Sequence, residues 1–438
     1  MNWPNVGFAR DPEGGPPTWV AAMTLRHRIS HRKFTIMTIQ RSTISGLGAV
    51  TGYGWGREAL WNGLASGKSA AALHHGFGFG GGRPSVGQDA AGAGQPASDG
   101  PGWIVRVPEG GEQSDGRTRF SRAMRAAARE AIEDAMARGW TPGARVGLVH
   151  ACVLGDLDMY PMVTSGVGRY SGRQYLSVTP STPVSLLMQE YGFHGPAINV
   201  SAMCTSGSAA IVTAKSWLDS DLVDDVVVVA TDLSAKPEVV TMFVQLGVAI
   251  TDTDALNACR PFQEGSRGFT FGEAAIAFTM TNRRADGYAD VLGGAMSHDA
   301  FHVTSIDPEL TSVRSCVEQA LTMSGVSGER IRYLNAHGPG TRQCDRAEAA
   351  IADTMLPNAE VFSVKPLAGH CQGAAGAVEL AASLLGYERG EVPATPRVAD
   401  AVIPQLLDGR THLEHGLTLK TSLGMGGHNA AVVLAPHA

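Results

Sequence analysis

The chain has 438 residues, enough for two to three folding units at about 150 residues per domain. Its 35 basic and 41 acidic residues leave a net charge of −6, and 44% of residues are hydrophobic against 17% charged. Those proportions exclude wholesale disorder and give no electrostatic case for a nucleic-acid partner, and no apolar run approaches the roughly 18–20 residues of a membrane span.

In chain order, residues 1 to about 40 lack sustained periodicity and carry 5 basic against 2 acidic residues. They read as a flexible extension, and Met37 is an alternative start. No apolar stretch follows Arg26, Arg28, Arg32 and Lys33, so a secretory signal is not expected. Thr43–Val50 is the first strand. Gly76 to Gly116 holds 13 glycines in 41 residues and reads as a long surface insertion, too poor in apolar surface to offset its ordering entropy. The stripe Phe120, Met124, Ala127, Ala131, Ala135 predicts a helix over Arg119–Arg138. Arg145–His150 reads as a strand, Ser206–Leu218 as a helix of small residues and Asp225–Ala230 as a buried strand. Further strands are expected at Ala274–Met280, Ile331–Leu334, Val361–Val364 and Ala430–Leu434, with helices at Glu309–Met323, Asp345–Met355 and Ala374–Glu388. This alternation predicts an α/β protein with largely parallel, doubly covered sheets.

Four places suit chemistry. Cys204 stands in Asn199-Val-Ser-Ala-Met-Cys-Thr-Ser-Gly-Ser-Ala-Ala210, where a strand enters and a helix leaves. A thiol there faces unpaired N–H groups and the positive end of the helix dipole, which favour thiolate; the alternative is a packed core cysteine. His337 follows a strand directly and precedes Gly338-Pro-Gly340, so it is either held toward a loop-lined space or is a satisfied turn histidine. His370 lies in Val364-Lys-Pro-Leu-Ala-Gly-His-Cys371, where Lys365 would disfavour protonation of the imidazole. Gly424-Met-Gly-Gly-His428 is a glycine loop entering the last strand, suited to bringing backbone N–H groups to a reacting atom. The six cysteines show no zinc-type spacing, so no metal is expected, and they read as reduced thiols of a cytoplasmic protein.

Taken in order, these blocks resemble the β-ketoacyl-acyl-carrier-protein synthases, the elongating condensing enzymes of the thiolase superfamily. Ser45-Gly-Leu-Gly-Ala-Val-Thr51, Arg260-Pro-Phe262, Gly272-Glu273 and Asp299-Ala-Phe-His-Val-Thr304 carry the likeness together with the Cys204, His337, His370 and glycine-loop motifs. It extends over about residues 41 to 436. The resemblance implies a five-layered αβαβα fold of two similar halves, roughly 41–285 with Cys204 and 286–438 with both histidines. It implies that Cys204 takes an acyl group from the phosphopantetheine arm of an acyl carrier protein. His337 and His370 would then hold the malonyl thioester and its enolate through decarboxylation, with Lys365 tuning them. The backbone N–H groups of Cys204 and Met425 would hold the oxyanion. Thr341, Met425 and Gly426 would contact substrate, and Glu348 would support the site from behind. No permanently bound cofactor is implied. The family is dimeric, so a homodimer is expected, with a heterodimer of related subunits as the variant.

Three positions depart from that family: Pro339 replaces a threonine, Pro366 a serine, and Met425 a phenylalanine that gates the acyl pocket. They suggest a specialised synthase of polyketide or fatty-acid biosynthesis. Rival readings are a non-decarboxylating acyltransferase and a catalytically silent, chain-length-shaping partner; the latter typically lacks the nucleophile that this chain keeps. Thiolase itself would place a second cysteine in the C-terminal glycine loop, and there is none.

Overall fold

The computed structural model describes residues 40–79, 97–160, 176, 178–283 and 285–437. The N-terminal extension up to residue 39 and the most glycine-dense part of the 76–116 segment lie outside the described residues.

The first half is built from β1 (Ser42–Thr51), α1 (Arg57–Ala65), β2 (Ala72–His75), β3 (Pro101–Ile104), α2 (Arg119–Ala137), β4 (Val146–Ala151), α3 (Thr182–Tyr191), β5 (Ala197–Val200), α4 (Ser206–Asp219), β6 (Asp225–Asp232), α5 (Pro237–Gln245) and β7 (Ala274–Thr281). The second half contains β8 (Ala289–His298), α6 (Thr311–Ser324), β9 (Ile331–Asn335), α7 (Arg342–Met355), β10 (Glu360–Phe362), α8 (Ala375–Arg389), β11 (Leu417–Gly424) and β12 (His428–Pro436). The main strands lie in the order β10-β9-β11-β12-β8-β1-β7-β6-β4-β5. Read outward from the centre, β1-β7-β6-β4-β5 and β8-β12-β11-β9-β10 repeat one pattern: two antiparallel pairings, then two parallel ones. The halves meet where Ser42–Ile44 pairs with Ala289–Val291.

The sheet is therefore mixed, not largely parallel. Strands β8 and β11 escaped the sequence pattern, and each supplies an antiparallel partner. Their sequences ADVLGGAMSH and LTLKTSLG are buried along most of their length, so small and polar residues replace the expected alternation or apolar run.

Helix α2 covers the outer face of the first sheet half, against β1 and β7, and α6 covers that of the second, against β8 and β12. Helices α4 and α8 form the middle layer and touch strands of both halves. This is the five-layered αβαβα arrangement. Small residues on α4 and α8 let their backbones approach: a Cβ on Gly207 would stand 2.6 Å from the Ala377 amide nitrogen, and one on Gly376 would stand 2.9 Å from that of Ser208.

The 76–116 segment is not simply a surface insertion. Strands β2 and β3 pair antiparallel, and Phe77, Ile104, Val105 and Val107 are buried. The Trp103 amide donates to the Thr251 carbonyl at 2.8 Å, and that of Val105 to Phe271 at the same distance. Averaging over 41 residues hid the short run Trp103-Ile-Val-Arg-Val107, which is apolar enough to enter the core.

Candidate active site

Cys204 sits at the turn between β5 and α4. Met203 before it takes φ 49°, a left-handed conformation that costs a side-chain-bearing residue about 1 kcal/mol or more. Neighbouring hydroxyls hold the turn. Ser206 Oγ accepts from the Ala202 amide at 2.8 Å and donates to the Met203 carbonyl at 2.6 Å, and Thr205 Oγ1 donates to the Ala202 carbonyl at 2.5 Å.

His337 leaves β9 and is fixed by Glu348 on α7. One carboxylate oxygen accepts the His337 amide at 2.7 Å, the other the Gly338 amide at 2.8 Å, and Thr421 adds its hydroxyl at 2.5 Å. The turn needs Gly338 at φ 45° and Gly340 at φ 74°. His370 follows the short helical turn Lys365–Ala368. Its amide donates to the Thr270 carbonyl at 2.8 Å, its carbonyl accepts from Gly272 at 2.9 Å, and its ring lies 4.4 Å from that of Phe269, centroid to centroid. Val105 packs beside Gly369, so the supposed insertion buttresses this histidine.

The three side chains converge. A ligating atom from each of Cys204, His337 and His370 lies within 4.8 Å of the others, and the imidazole centroids are 5.5 Å apart with planes at 89°. The separations resemble a soft-metal trio, but the hydrogen bonding is wrong for one. His370 Nδ1 accepts the Gln372 amide at 3.1 Å. His337 Nδ1 lies 3.0 Å from Lys365 Nζ, an ammonium that can only donate. Both neutral rings must therefore carry their proton on Nε2, so each presents an N–H where a cation needs a lone pair.

Behind His337 lies a buried ion cluster. Lys365 Nζ binds the His337 carbonyl and Glu379 Oε1, while Lys420 Nζ lies 2.6 Å from Glu379 Oε2. Lys365 thus touches His337, not the His370 that follows it by five residues in the sequence, and it stands behind the cavity wall. Burial first, then the Lys365 charge, holds both imidazoles well below their usual pKa, so they stay neutral. Cys204 corrects the expectation of a ready thiolate. Burial pushes its thiol up to about 11, only partly opposed by the Lys365 charge and a hydrogen bond from the Met425 amide. Desolvation outweighs the helix terminus.

A cavity of about 650 Å³ opens onto Cys204, His337 and His370 and is lined also by Pro339, Thr341, Met425 and Gly426. Phe243, Leu246, Phe269, Arg342 and Cys344 join the lining and were not foreseen. Glu379 and Lys420 were missed as well. Their signal was a charged residue inside an otherwise small or apolar run, in Ala377-Val-Glu-Leu380 and Leu417-Thr-Leu-Lys420.

Residues 41–285 match the model of the beta-ketoacyl synthase N-terminal domain, and residues 288–399 that of its C-terminal domain. The chain is 30% identical to the tetracenomycin polyketide synthase ketoacyl synthase alpha subunit of Streptomyces glaucescens, over 90% of this chain and 97% of that one. It is 27% identical to 3-oxoacyl-[acyl-carrier-protein] synthase 2 of Coxiella burnetii, over 91% and 99%. Among solved structures, a beta-ketoacyl synthase from Burkholderia phymatum superposes with TM-score 0.77 at 20% identity, over 91% of this chain and all of that one. A ketosynthase from Xenorhabdus doucetiae, solved with its chain length factor, gives 0.74 at 23%, over 93% and 100%. The chain belongs to the beta-ketoacyl synthase family, with the thiolase-like fold, and is a condensing enzyme of the kind that elongates acyl chains.

Proposed function

We propose that this β-ketoacyl synthase joins an acyl chain carried on Cys204 to malonyl-acyl-carrier protein, releasing carbon dioxide and β-ketoacyl-carrier protein. The observation that carries the reading is the meeting of one thiol and two Nε2–H imidazoles at the wall of one cavity. In the first step Cys204 sulfur attacks the thioester carbonyl of an acyl-phosphopantetheine. The carbon–sulfur bond to the arm breaks, and the thiol proton leaves on the departing arm sulfur. The amides of Cys204 and Met425 would hold the transient oxyanion; the Met425 N–H already bonds the Cys204 sulfur, which supports this assignment.

In the second step the malonyl thioester carbonyl accepts the Nε2–H groups of His337 and His370. Carbon dioxide leaves, its bonding electrons pass into an enolate, and the two donors hold the enolate oxygen. The enolate carbon then attacks the acyl–Cys204 carbonyl, and cysteine leaves as thiolate and takes up one proton. Lys365 would act through His337, Glu348 through the His337–Gly338 backbone, and Thr341 and Gly426 on the pantetheine arm. The arm arrives with the carrier protein, and we assign the enzyme no resident cofactor.

The relatives span fatty-acid and polyketide synthesis, and this enzyme serves one of those two pathways. A homodimer through the first half is supported by edge strand β5, where Ile198 is exposed, and by exposed Leu186 on neighbouring α3. A heterodimer is the variant that the chain length factor in the Xenorhabdus structure suggests. Among the described residues all six cysteines are free and no helix is long and apolar enough to cross a membrane, which fits a cytoplasmic setting.

The test is mass spectrometry of the Cys204 peptide. Acyl-carrier protein should add an acyl mass there, and malonyl-carrier protein should clear it with release of carbon dioxide. Acylation without decarboxylation would favour simple acyl transfer, and no acylation a silent partner subunit.

A further inference from the structure

The cavity opening is flanked by two segments. One is the end of α5 and the turn after it, from which Phe243, Leu246, Gly247 and Val248 line the cavity. The other is the loop leaving β8, from which Thr304, Ser305 and Ile306 line it. Each segment also holds large apolar side chains out to solvent. Met242, one helical turn before Leu246, is 62% exposed, and Leu246 itself 52%. Phe301 is 55% and Val303 77% exposed. Val303 and Met242 are the two most exposed large apolar side chains among the described residues. Single exposed apolar residues need no explanation, but four gathered on two segments beside one opening form a patch. Residues 237–248 and 299–306 contain no lysine or arginine. Of the two arginines lining the cavity, Arg267 is 2.7 Å from Asp252, and Arg342, on neither of these segments, is exposed.

We infer that these four side chains form an apolar docking surface for the body of the carrier protein whose arm enters the cavity. The inference rests on the carrier-borne condensation proposed above. An arm that reaches Cys204 through this opening stays tethered to its carrier, so the carrier must cover whatever surrounds the opening. On these two segments that surface offers hydrophobic area and no lysine or arginine, so its natural occupant is a carrier presenting an apolar face beside its pantetheine attachment point. The surface also adjoins the catalytic backbone. The Gly426 amide donates to the Val303 carbonyl at 2.8 Å, and the Asp299 amide to the Gly427 carbonyl at 2.8 Å. A carrier seated on Phe301 and Val303 therefore presses on the loop bonded to the turn that presents Met425.

The experiment compares acyl-carrier protein with acyl-pantetheine as acyl donors for the full-length wild type, Met242→Glu and Phe301→Glu. Neither residue lines the cavity. Each variant should raise KM for acyl-carrier protein about tenfold or more while leaving acyl-pantetheine kinetics unchanged. For the wild type, raising salt from 50 to 200 mM should change that KM less than about threefold. Parallel losses on both donors would overturn the inference by showing a merely structural role. Unchanged KM for both donors, or a steep salt dependence, would overturn it in favour of a charged site elsewhere. Dissociation of an oligomer by either variant in sedimentation would assign the patch to a subunit contact and overturn it too. A wild type that accepts neither donor would refute the condensing reading itself, and the inference with it.

Discussion

The most exacting test of the site's electrostatics is Glu379→Gln. Glu379, Lys365 and Lys420 are each no more than 1% exposed, and one carboxylate serves two ammonium groups. The substitution keeps the size of the side chain and removes the counter-charge of both lysines. Removing one partner of a buried pair typically costs about 3–5 kcal/mol, because a charge is left in a medium that cannot solvate it. Set against a total stability of about 5–15 kcal/mol, that should move the urea midpoint far to the left. The double variant Glu379→Gln/Lys420→Met returns the cluster to its original single net positive charge and should recover at least half of the loss. The deficit should also depend on pH. An unpaired buried ammonium has a folded pKa below its unfolded value; burial already lowers that of Lys420 with Glu379 present. Below the folded pKa both states hold the proton and the full cost is expressed. As pH rises toward the unfolded value near 10.4, the folded protein sheds the proton and the deficit shrinks. A single variant within about 1 kcal/mol of wild type at pH 7, or a double variant no more stable than the single, would refute this account.

Cys204, with its thiol pushed up to about 11, should alkylate with iodoacetamide about tenfold faster for each pH unit between 7 and 10. A rate already level at pH 8 would contradict the burial argument. His370→Ala should still acylate Cys204 but lose malonyl decarboxylation by about 10²–10³-fold, and equal losses in both steps would contradict the division of labour. Because both imidazoles are held well below 6.5, wild-type decarboxylation should stay level from pH 8 to 6, with its acid limb lower still; a limb centred at 6.5 would be evidence against neutral donors. Gly207→Ala should lower stability by about 1–3 kcal/mol despite the better helix propensity of alanine, since its methyl would meet the Ala377 backbone at 2.6 Å. Calorimetry showing no loss would mean that α4 and α8 can part.

Local chemistry was the most legible layer. The elbow around Cys204, the strand-end His337 and the Gly369-His370 turn each combine a reactive side chain with the small residues its position requires, and that combination survives in one dimension. The pairing of Lys365 with His337 does not, because 28 residues separate them and proximity in sequence points to His370. Strand β11 was overlooked because Lys420 and its polar neighbours break the apolar pattern. Its burial makes sense only once Glu379 arrives from helix α8. The same averaging that exposed the glycine-rich 76–116 segment concealed the Trp103–Val107 strand inside it. Composition reports what most of a window does, whereas a core is entered by four or five residues.

The repeated topology explains why the Cys204 thiol and the two imidazoles meet. In the first half a strand, β5, runs into the Cys204 turn and then α4. In the second half β10 runs into the His370 turn and then α8. The two junctions occupy equivalent positions, and the centre of the molecule brings their helices side by side. Such helices ordinarily pack with axes 8–10 Å apart, a separation set by the side chains between them. Here Gly207 and Gly376 remove those side chains, each facing the backbone of the other helix, and Ser208 reaches Ser422 on β11 at 2.8 Å. The close crossing draws the start of each helix, and therefore each junction, toward the other. His337 enters from the end of β9, the second-half counterpart of β4, and completes the set. A thiol from one half and two proton-bearing imidazoles from the other are thus assembled by symmetry of the scaffold, and the bare glycines at the crossing are as necessary to that assembly as the three side chains themselves.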